Sequence, residues 1–83
     1  MNHNDYFQQA LDRGDFIEAA RIAISNGKRK SSRWRAWNWA EMAQEAAKKA
    51  GITLDVGHLS WPDFEIMAEQ LEVAALMHHK RQS

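Results

Sequence analysis

The side chains best suited to act on another molecule lie between Lys28 and Glu41. Lys28, Arg29, Lys30, Arg33 and Arg35 place five cations in eight positions. Trp34 and Trp37 are interleaved with them, and Glu41 follows one turn after Trp37. Arginine beside tryptophan makes a strong interface anchor, because a large rigid ring is joined to a charge with several donors. Cations at the start of a helix oppose the positive end of its dipole. Their presence there is therefore not helix optimisation, and the segment reads either as a solvated loop or, functionally, as a surface for an anionic partner. That partner is an acidic protein surface or, as the alternative, a phosphate backbone whose bases stack on an indole.

Catalytic chemistry is not written in the spacing. The chain has no Gly-rich phosphate loop, no HExxH pair and no cysteine nucleophile. His78 and His79 are adjacent, so on a helix they point about 100° apart and make a poor ligand pair. His3 and His58 fall in expected loops. Glu41 and Glu45 are one turn apart, but a di-iron bundle also needs Glu-x-x-His motifs on two further helices. They read instead as weak ion pairs with Lys48 and Lys49. The expectation is a protein that is not an enzyme and needs neither metal nor cofactor.

Length and charge narrow the class. Eighty-three residues make one domain, 1–83, with a modest core. Eleven basic and eleven acidic side chains cancel, which argues against a surface wholly devoted to nucleic acid. The polar start MNHNDYFQQALDRGD is not a signal peptide, and no apolar run reaches membrane-spanning length. With no cysteine, a cytoplasmic location is expected.

The element that must position the cations and indoles is Ser32–Ala50, around which the chain reads as organised. Ser31 or Ser32 is the expected N-cap, and Gly51 the stop. At about 100° per residue, Ala36, Trp39, Ala43, Ala46, Ala47 and Ala50 form one stripe. That stripe lets another helix approach closely. Trp34 and Trp37 fall outside it, among Glu41, Gln44, Glu45 and Lys48. Such a pair needs a cover, supplied by this chain or by a partner.

Before this helix, Asn4 or Asp5 caps a short helix to about Arg13, with Tyr6, Phe7, Ala10 and Leu11 as its stripe. Gly14–Asp15 breaks it, and a second helix runs from Phe16 to about Ser25, closed by Asn26–Gly27. After it, Gly51–Leu59 reads as an extended connector that tucks Ile52, Leu54 and Val56 onto the core. The last helix is expected from Ser60, with Ser60 and Asp63 as a capping box and Pro62 in the first turn, to about His79. Its stripes are Phe64, Met67, Ala68, Leu71, Ala74, Ala75 and, nearly opposite, Ile66, Val73, Met77. A helix with two apolar stripes is sandwiched inside its domain or shared with a second copy. Ile66, Val73 and Met77 are therefore the candidates for a homodimer interface.

The hairpin ALDRGDFIEAARIA resembles the turn region of a tetratricopeptide repeat, with Gly14, Phe16 and Ala19 at that pattern's positions. The resemblance covers about twenty residues, with no second copy nearby, and implies a shared packing solution for a tight helical hairpin. EMAQEAAKKAGI resembles the first helix of a helix-turn-helix unit, without a recognition helix after Gly51.

These readings converge on an all-α bundle of about four helices. The expected function is a non-enzymatic protein–protein interaction module acting through Lys28, Arg29, Lys30, Arg33, Trp34, Arg35, Trp37 and Glu41. A small adaptor, or a phage-type stoichiometric inhibitor of a host assembly, has this form. Nucleic-acid binding through Lys28–Arg35 is the alternative.

Overall fold

The computed structural model describes residues 3–82, with the side chains of residues 5–77. Four helices account for the order of elements: α1 (His3–Asp12), α2 (Phe16–Lys28), α3 (Arg33–Lys49) and α4 (Phe64–Gln82). Among the described residues there is no strand, so the expected all-α bundle holds. No described helix is long and apolar enough to cross a membrane.

The hub is α2 rather than α3. It packs against α1, α3 and α4. The reason lies in its small residues: Ala19, Ala20 and Ala23 are fully buried, and they meet an equally small seam of Ala36, Ala40, Ala43, Ala46 and Ala47 on α3. Two alanine faces let backbones come close, so dispersion contacts are dense despite small side chains. Phe7 and Trp39 fill the space beyond, their rings edge to face with centroids 5.7 Å apart.

Gly27 is not the expected stop but a residue inside α2. A Cβ there would lie 2.4 Å from the Phe64 ring and 3.1 Å from the Trp39 Cβ. The absent side chain is the seat on which the first residue of α4 rests. The hairpin turn is closed as expected, by Gly14 N–H to Leu11 O and Asp15 N–H to Ala10 O at 3.0 and 2.9 Å.

Several helix ends differ from expectation. Ser32 occupies the N-cap of α3 and Asp15 that of α2, yet neither side chain caps. His3 opens α1 rather than sitting in a loop. The last helix starts at Phe64, not Ser60: the Asp63 carboxylate accepts the Ile66 N–H at 3.1 Å, making Asp63 the cap. Residues 60–63 stay outside the helix because the Ser60 carbonyl and the Asp63 N–H are both engaged elsewhere. The helix runs on past His79 to Gln82.

The connector tucks inward as expected, with Ile52 and Leu54 buried and Val56 half-buried. Gly51, at φ +79°, adopts the left-handed turn that ends α3. There the N–H groups of Gly51 and Ile52 reach the carbonyls of Lys48 and Ala47. From there the segment is stitched to both flanking helices. Gln44 donates to the Leu54 carbonyl, the Asp55 N–H donates to Gln70, and the Asp63 N–H closes on the Val56 carbonyl. The Cα atoms span only 15 Å in the thinnest direction, and a slab this thin cannot cover both faces of an outer helix.

Candidate binding surface

Of the two indoles set apart from the alanine stripe, one is covered and one is not. Trp37 is half-buried, and its Nε1–H donates to the Ser60 carbonyl at 2.8 Å. The connector is thus its lid. Trp34, one turn earlier, is 75% exposed. The two are not a pair with one role.

The cations divide similarly. The Arg29 guanidinium donates to the Asn26 Oδ1 at 2.6 Å, and Asn26 is buried. Arg29 therefore fastens the end of α2, since a buried amide needs its partners. Lys30 is half-buried. Lys28 at the end of α2, and Arg33 and Arg35 in the first turn of α3, are exposed. Glu41 is exposed two turns beyond Trp34 on the same side of α3. It forms no ion pair with Lys48, nor does Glu45 with Lys48 or Lys49; instead the Lys49 Nζ lies 5.7 Å from the centre of the Phe16 ring.

Two residues were missed from sequence. Leu59 and Trp61 are both exposed, and they flank Ser60, which Trp37 holds against the N-terminal half of α3. They line an open groove of about 580 Å³ with Lys28, Pro62 and Glu65. Reading Ser60–Asp63 as a helix start hid them, because a first turn would have given Trp61 a helical direction. The signal was available: Pro62 restricts Trp61 to extended backbone. The end of the bundle where α2 stops and α3 and α4 begin thus presents cations together with exposed apolar side chains.

The dimer candidates Ile66, Val73 and Met77 lie on the outer face of α4, opposite the buried Phe64, Met67 and Leu71. With Leu76, which the sequence reading did not include, they are 41–66% exposed. The sandwiched alternative for α4 is therefore set aside. On another side of α4, Arg21 of α2 bridges Glu72 at 2.8 Å and Glu18 at 2.6 Å. The Arg21 hydrogen bond holds the Glu72 carboxyl below its ordinary range. Among the described residues, no three His, Cys, Asp or Glu side chains gather as a metal site would require.

No family model, curated protein or solved structure matches this chain.

Proposed function

We propose that this chain is a non-enzymatic protein–protein interaction module that binds an acidic partner through the basic, aromatic end of the bundle. The carrying observation is Trp34, 75% exposed between the exposed cations Arg33 and Arg35. Burying such an indole in a partner's pocket removes most of its area from water, worth about 4 kcal/mol at most. That is the size of an interface hot spot. Lys28, Lys30, Arg33 and Arg35 steer an acidic surface towards it. A small adaptor or stoichiometric inhibitor of a larger host assembly, working in the cytoplasm, is the role this reading favours.

Nucleic-acid binding is the second reading, supported by the same exposed indole beside cations, an arrangement that stacks on single-stranded bases. A tagged capture from lysate, divided into nuclease-treated and untreated halves, separates the two. A discrete protein retained after nuclease and lost with Trp34→Ala supports the module. Recovery of only nuclease-sensitive material, with affinity falling steeply with salt, moves the assignment to nucleic acid.

A further inference from the structure

We propose that the outer face of α4 pairs with a second copy of this chain, antiparallel, in a weak two-fold dimer. Val73, Leu76 and Met77 are adjacent exposed apolar side chains on that face, and exposed Ile66 stands two turns before them. Ile66 and Val73 are seven residues apart, which sets them on the same side of the helix two turns from each other.

The occupant is identified by charge. The first half of α4 carries Glu65, Glu69 and Glu72, and its last turns carry His78, His79, Lys80 and Arg81. Glu72 is already engaged by Arg21, which leaves Glu65 and Glu69. A helix acidic at one end and basic at the other complements itself only when a second copy runs the opposite way. Two antiparallel helix dipoles also attract. The register that sets Val73 against Leu76 of the second copy brings position 69 opposite position 80 twice, once on each side of the axis. One helix per protomer is a small interface, at the low end of those that persist. Association is accordingly weak, with a dissociation constant on the order of 10–100 µM.

Sedimentation equilibrium of the full chain from about 10 to 500 µM tests this. The expected result is a mass rising from one chain towards two. Val73→Glu, at a half-exposed position, stays monomeric throughout with its helical circular dichroism unchanged. Glu69→Lys and Lys80→Glu each weaken self-association by about tenfold, since each sets like charges opposite one another at both 69–80 contacts. An equimolar mixture of those two variants regains the wild-type affinity, because every 69–80 contact is then between opposite charges. A single-chain mass across the whole range overturns the proposal. So do charge variants that associate as well as the wild type, or a mixture that shows no rescue.

Discussion

The indole N–H of Trp37 donates to the backbone carbonyl of Ser60 at 2.8 Å, and this bond separates two tryptophans that the sequence groups together. Trp37 holds the connector on α3. Trp34 is 75% exposed and makes no such bond among the described residues.

Stability follows that division. Trp37→Phe removes one exposed hydrogen bond and is expected to cost about 0.5–1.5 kcal/mol. Trp37→Ala also removes packing under the connector and is expected to cost about 2–4 kcal/mol. Trp34→Ala should stay within about 0.5 kcal/mol of wild type, as for surface positions generally. Urea unfolding followed by far-ultraviolet circular dichroism measures all three. Equal losses for Trp34→Ala and Trp37→Ala would contradict the separation of roles.

Gly27→Ala sets two effects against each other. Alanine is favoured over glycine inside a helix by about 1 kcal/mol. Against that, its Cβ would fall 2.4 Å from the Phe64 ring, and overpacking of this kind costs about 1–3 kcal/mol. The clash wins, because Phe64 is buried and anchors the start of α4. The expected outcome is a lower melting temperature, partly recovered in Gly27→Ala with Phe64→Leu. A rise in melting temperature for the single variant would show that the Phe64 seat is dispensable.

The Arg21–Glu72 bridge gives a small pH-dependent contribution with a definite sign. The Glu72 carboxyl is held lower in the folded chain than in the unfolded one, first by the Arg21 hydrogen bond. Its stabilisation is therefore present above the ordinary glutamate range and disappears as pH falls through the folded value. Both side chains are largely exposed, so the bridge is worth less than about 1 kcal/mol. Glu72→Gln should be slightly less stable than wild type at neutral pH and equal to it well below the carboxylate range. Urea midpoints for the two proteins at each pH check this, and a gap that persists in acid would point to another cause.

The bundle was legible because its signals are local: a Gly-Asp break at Gly14, alanines at helical spacing and an aliphatic connector after Gly51. What was not legible depends on distant partners. Gly27 reads as a stop until Phe64, far along the chain, is placed against it. Ser60 reads as a cap until Trp37 and the chain reversal at Asp63–Val56 claim the backbone around it. The basic segment from Lys28 to Arg35 was visible, but Arg29's commitment to Asn26 and the arrival of Leu59 and Trp61 were not. The two stripes of α4 were correctly seen as opposed, yet periodicity alone does not say which stripe faces outward.

The most direct test of the account compares capture of partner by wild type, Trp34→Ala and Trp37→Phe at matched helical content. The account predicts that Trp34→Ala loses at least about tenfold in retained partner while Trp37→Phe keeps wild-type retention. Full retention by a folded Trp34→Ala would contradict the assignment of this surface as the binding site.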